Sequence, residues 1–154
     1  MTANELLERY KAGQRDFRGL NLMGIDLSHS VLCGANFSFC NLRNAWMKQA
    51  NLRGANLRNT TISRGVLAYA DLSGADLSHA DLDTCAFFGA NLTGANFHKA
   101  LMGHQPCLSG ANLTNVDFTQ TFIGLPGGLD NLSVFGATLC NTKFPNGRTW
   151  TIKS

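Results

Sequence analysis

A period of five runs through this chain. In the stretch ADLSGADLSHADL, residues 70–82, Leu72, Leu77 and Leu82 recur every five residues, and Ala70, Ala75 and Ala80 stand two positions before them. An amphipathic helix repeats its apolar face about every 3.6 residues and a half-buried strand about every 2, so a strict five leaves either template within a few turns. A different periodic backbone is required.

Centred on the large apolar residue of each five, the units run unbroken from Phe17 through Leu22, Leu27, Leu32 and Phe37 to Leu92, Phe97 and Met102. One extra residue moves the next centre to Leu108, followed by Leu113, Phe118 and Ile123. A second extra residue gives Leu129, Val134, Leu139 and Phe144, for 26 units in all, each with an apolar centre. Two residues before the centre the chain is usually small, most often Ala, with Ser30, Cys40, Thr60, Gly65, Cys85 and Thr121 of comparable size. Immediately before the centre Asn or Asp predominates. Internal repetition of this kind is the mark of a solenoid.

The unit A-(N/D)-L-x-x resembles the signature of the pentapeptide-repeat family, and the resemblance covers Phe17 to Phe144. ELLERYKAGQRDF and FPNGRTW are also similar to the entry and exit segments of many cyanobacterial members. The resemblance implies an all-β fold: a right-handed quadrilateral β-helix with a short N-terminal capping α-helix, four units making one square coil of about 20 residues and coils stacking at ~4.8 Å. The centre and the residue two before it would point inward, so that large and small side chains fill a narrow core. Asn or Asp before the centre would bond neighbouring backbone at each corner. Positions after the centre, Ser78 among them, would face outward.

The organisation expected is a capping helix over residues 1–14, a β-helix of about 6.5 coils over 15–144, and a C-terminal tail or cap over 145–154. Thr2 with Glu5 reads as a capping box, and Leu6, Leu7 and Tyr10 share the face that would lid the first coil. At the other end Pro145 and Gly147 suit a turn, with Trp150 and Ile152 available as a thinner lid, which leaves room for end-to-end dimerisation. Counting faces from Phe17 as face one, both insertions fall at the corner between faces two and three, in GHQPCL and GLPGGL.

Chemistry finds little support. Of the ten acids, Asp16, Asp26, Asp71, Asp76, Asp81 and Asp117 occupy the corner slot, leaving Glu5, Glu8, Asp83 and Asp130. No carboxylate pair survives, and there is no GxSxG, HExxH or GxGxxG. His79 and His98 fall on neighbouring rungs of face one, and His104 shares the bulged corner with Cys107, near Cys85. The five cysteines are odd in number and lack CxxC spacing, so free thiols are expected, with a Cys85–Cys107 disulfide left open. The reading is of a non-enzyme with no cofactor and no metal. The start MTANELLERYKAGQ has Glu5 and Glu8 where a signal peptide needs an apolar core, and no apolar run of about 18 residues follows, which points to a cytoplasmic protein without a membrane segment.

Function is then expected on the outer surface. Face three departs from the corner rule: its slot reads Asp26, Trp46, Val66, Ala86, Cys107, Gly128, and Tyr69 and Phe88 are outward neighbours. Trp46, Val66, Tyr69 and Phe88 are therefore expected to form one apolar patch for a protein partner, or for a second copy of the chain. Arg43, Lys48, Arg53, Arg58 and Arg64 lie in a stretch without acids and suggest a belt for an anionic ligand, although four of them fall on four different faces. The resemblance extends to family members that protect DNA gyrase by imitating DNA. That role needs a strongly negative rod, and ten acids against thirteen bases do not supply one. Nucleic acid is an unlikely partner on the same charge count.

Overall fold

The computed structural model describes residues 1–103, 106–124, 134–145 and 147–151. It is a right-handed quadrilateral β-helix entered through one short helix, α1 (Ala3–Lys11), and closed by a two-stranded antiparallel sheet of β1 (Cys140–Lys143) and β2 (Thr149–Thr151). The coils meet through single parallel bridges: Asp16 pairs with Asn36, Asn36 with Asn56, Asn56 with Asp76 and Asp76 with Asn96, each step 20 residues. Equivalent columns run up the other three faces.

Residue size explains the square. All eighteen centres from Phe17 to Met102 are buried, and between them lie Ala35, Ala45, Ala55, Ala75 and their equivalents, most with no exposed surface. A large side chain from each face meets a small one at each corner, an alternation that suits a narrow, close-packed shaft. On face one the aromatic centres meet: Phe17 stacks on Phe37 at 5.5 Å, and Phe97 lies tilted against Phe118 at 5.0 Å between ring centroids. Each corner is a turn in which the centre's carbonyl accepts from the amide three residues on, as Leu32 does from Ala35 at 3.1 Å. The second residue after the centre has positive φ at most corners, as a type II turn demands. Gly fills that position at Gly54 (+61°), but so does Tyr69 (+59°). The Asn or Asp in front of the centre accepts from the amide two residues on, as Asp26 Oδ1 does from Ser28 at 2.9 Å. Asn side chains also link rungs, Asn96 Nδ2 donating to Asp76 Oδ1 at 3.0 Å.

The amino end is closed as its sequence suggests. Thr2 and Glu5 form the reciprocal capping box, Leu6 is fully buried, and Leu7 and Tyr10 pack against the first coil. Tyr10 is held from both sides, its hydroxyl donating to the Cys33 carbonyl at 2.9 Å and the Arg15 guanidinium lying 3.8 Å from the ring centre. At the carboxyl end Gly147 donates to the Phe144 carbonyl at 3.0 Å, which makes the turn between β1 and β2. The side chain of Trp150 and all of Ile152 lie outside the described residues.

The insertions follow the expected corner, but the second has a different length. Across the first, bridges step 21 residues (Ala86 to Cys107, Asn91 to Asn112), one more than a regular coil. Across the second they step 26 (Asn112 to Thr138, Asp117 to Lys143), so six residues are inserted, not one. Val134 therefore follows Ile123 as the next face, and Leu129, assigned a face by the period alone, lies outside the described residues. Thr138 moves from face one to face four, and Phe144 stacks on Phe118 on face one at 5.9 Å. The same shift brings Phe135 above Ser109 on face three, where its carbonyl accepts from the Gly110 amide at 2.9 Å. Neighbouring coils sit at ~4.8 Å, within disulfide range. Oxidation of a Ser109→Cys/Phe135→Cys variant should thus cross-link the two positions. Mass spectrometry of peptides should find no such link in Ser109→Cys/Asp130→Cys, and the reverse pattern would restore the one-residue insertion.

Candidate interaction surface

Face three is built by a column of bridges from Asp26 through Trp46, Val66 and Ala86 to Cys107. Above Asp26 none of these side chains carries a carboxamide or carboxylate oxygen. The corner hydrogen bond made by Asp26 is therefore not available to the amides of Lys48, Ala68 and Phe88, which follow Trp46, Val66 and Ala86 by two residues. The space goes to apolar groups. Trp46 is 56% exposed, Tyr69 52% and Phe88 44%, whereas Val66 is half-buried among them. Tyr69 and Phe88 meet edge to face with centroids 5.3 Å apart, a favourable aromatic geometry. Tyr69 also lies over Gly89, where a Cβ would come within 2.6 Å of its ring.

All four sequence-derived aromatic and aliphatic candidates thus share one face, Val66 as its half-buried member. One member was missed. Phe135, 89% exposed, extends the same face upward, and only the length of the second insertion hid it. Face two holds a smaller stacked pair, Leu101 (48% exposed) bridged to Phe122 (60%). Both occupy the slot before a centre, so the same broken corner rule would have found them.

The basic residues do not form one belt. Lys48 stands on face three, Arg53 on four and Arg58 on one, all exposed. Arg43 and Arg64 both lie on face two, lining one groove with Asp81 and Asp83.

The groups that could do chemistry are dispersed. His79 and His98 stack edge to face at 5.9 Å on face one, while His104 lies outside the described residues. All five cysteines are unpaired, including Cys85 and Cys107. Burial pushes the Cys85 thiol up to about 12, and its sulfur donates to the Ile62 carbonyl at 3.2 Å, an inert packing role. Among the described residues no three His, Cys, Asp or Glu side chains converge as metal ligands. Ser78 departs from its outward assignment: it is 2% exposed and its hydroxyl has no hydrogen-bond partner among the described residues. A buried unpaired hydroxyl costs about 1–3 kcal/mol. Ser78→Ala should accordingly raise stability by about 1 kcal/mol in urea titration, and a loss of that size would reveal a hydrogen bond at this hydroxyl.

No helix among the described residues is long and apolar enough to cross a membrane. A comparison with curated proteins gave no match. Among solved structures, a pentapeptide repeat protein from the cyanobacterium Cyanothece 51142 is 25% identical with a TM-score of 0.60, over 92% of this chain and 98% of that one. HetL, a pentapeptide repeat protein involved in heterocyst differentiation regulation from the cyanobacterium Nostoc sp. strain PCC 7120, is 22% identical with a TM-score of 0.50, over 97% of this chain and 100% of that one. A pentapeptide repeat protein of the Arabidopsis thaliana thylakoid lumen is 36% identical with a TM-score of 0.45, over 68% of each chain. The family model for pentapeptide repeats (8 copies) matches residues 16–49, 35–67 and 66–102, more than half of the sequence and the part in which every coil steps by 20 residues. The chain belongs to the pentapeptide-repeat family.

Proposed function

We propose that this rod is a non-enzymatic scaffold that binds another protein through face three. The observation that supports the reading is the column in which the corner Asn or Asp is replaced while Trp46, Tyr69, Phe88 and Phe135 stand exposed beside it. Faces one and four keep the Asn or Asp corner on most coils, Val31, Thr138 and Lys143 departing from it, and fold without such an aromatic stripe, so folding alone does not call for it. Exposed aromatics in one patch are the usual anchors of a protein contact. Five unpaired thiols favour a reducing compartment, the cytoplasm. Imitation of DNA is disfavoured because thirteen bases against ten acids leave no duplex-like field.

Photo-cross-linking tests the proposal. Benzoyl-phenylalanine placed at position 88 should capture a partner in the native host, and the same group at position 58 on face one should not. An adduct of twice the chain's mass would assign face three to a homodimer. Equal capture from both positions, or none from position 88, would remove face three as the contact.

A further inference from the structure

Two of the basic residues that encircle the rod, Arg43 and Arg64, share a groove with acids. On face two a groove of about 460 Å³ runs from Met23 past Arg43 and Arg64 to Asp81 and Asp83. Its polarity changes along the axis: apolar on the first coil, cationic on the second and third, anionic on the fourth. The backbone at both arginines is fixed. The Arg43 amide donates to Asn41 Oδ1 at 3.2 Å and the Arg64 amide to the Asp83 carbonyl at 2.9 Å. Asp81 is fixed as well, accepting from Ser63 Oγ at 3.0 Å and from the Asp83 amide at 3.1 Å. The two guanidinium groups are exposed, and among the described residues neither makes an ion pair or a side-chain hydrogen bond. Cations and anions therefore share one groove without an ion pair between them.

We propose that this groove binds an extended peptide segment carrying an acidic side chain toward Arg43 and Arg64 and a basic one toward Asp81 and Asp83. The order of charges selects this ligand. A polyanion such as nucleic acid would meet repulsion over the half formed by Asp81 and Asp83, and a polycation over the other half. The spacing narrows it further. Arg43 and Asp81 lie two coils apart, ~10 Å at the spacing of paired strands. A polyproline II peptide rises ~3.1 Å per residue with about three residues per turn, so side chains three apart share a face and lie ~9 Å apart. Acid-Pro-Pro-base is the segment that spans Arg43 to Asp81, with Arg64 one coil from the acids and between the two ends. Guanidinium–carboxylate pairing would supply the directional contact. This site is independent of face three.

Fluorescence anisotropy with labelled Glu-Pro-Pro-Lys tests it, with Glu-Pro-Pro-Glu and Lys-Pro-Pro-Lys as comparators. Arg43→Gln/Arg64→Gln should weaken Glu-Pro-Pro-Lys at least tenfold. Arg53→Gln/Arg58→Gln, which removes the same net charge from faces four and one, should leave it unchanged, and circular dichroism would confirm that both variants are folded. Equal loss in the two double variants would reduce the effect to general charge attraction. Binding of Glu-Pro-Pro-Glu as tight as that of Glu-Pro-Pro-Lys would mean a simple anion site. No saturable binding of any peptide would mean that the groove's own charges satisfy one another, and each of these results overturns the proposal.

Discussion

Leu77→Lys is expected to destabilise the protein by about 4 kcal/mol or more, a range reached by a short list of core changes that includes burying an unpaired charge. Leu77 has no exposed surface and stands on face one in the column that runs from Leu57 to Phe97. Its neighbours in the shaft, Ala75, Ala80, Leu72 and Leu82, are fully buried and apolar, so the ammonium would find no acceptor except backbone carbonyls already used between coils. A solenoid coil is stabilised by the coils above and below it, so loosening this one weakens two interfaces at once. Met23→Lys is the matched control, since Met23 is 61% exposed and a surface change of this kind stays within about 0.5 kcal/mol. Ser78 cannot serve as that control because the structure buries it. Urea midpoints that fall equally for Leu77→Lys and Met23→Lys would overturn the inward assignment of the repeat centre.

Much of this was legible because one rule repeats. An apolar centre every five residues, a small residue two before it and a polar oxygen one before it fix the inward side, the corner and the face of each residue, so the stacking of Trp46 on Val66 could be read by counting. Counting failed where an insertion kept the count by coincidence. Leu129 lies five residues before Val134 and carries an apolar side chain, which makes a six-residue insertion look like one inserted residue followed by an ordinary unit. The bridges from Asn112 to Thr138 and from Asp117 to Lys143 distinguish the two, and counting alone put Phe135 on the wrong face. Ser78 failed for another reason. Its place in the repeat is outward, but burial depends on what the adjoining rungs carry, and a rule about one unit does not contain that information. The scatter of Arg43, Lys48, Arg53 and Arg58 over four faces was legible from the count, but the groove that unites Arg43 and Arg64 with Asp81 and Asp83 required the stacked coils themselves.

The proposed role of face three makes a demand that a purely structural role would not. In Trp46→Ser/Tyr69→Asn/Phe88→Ser the exposed aromatics are removed together. Asn suits the positive φ at position 69, since its short polar side chain tolerates the left-handed region. Because the three side chains are between 44% and 56% exposed, stability in urea should stay within about 1 kcal/mol of the parent. Affinity for the face-three partner should nevertheless fall by more than 2 kcal/mol, about thirtyfold or more, if these aromatics anchor the contact. The most direct measurement is therefore the paired determination, on the same preparations, of the urea midpoint and of the dissociation constant for the partner captured at position 88. An unchanged midpoint with lost binding is the result expected. A midpoint that collapses would make the aromatics part of the fold, and a variant that keeps both its midpoint and its partner would leave face three idle.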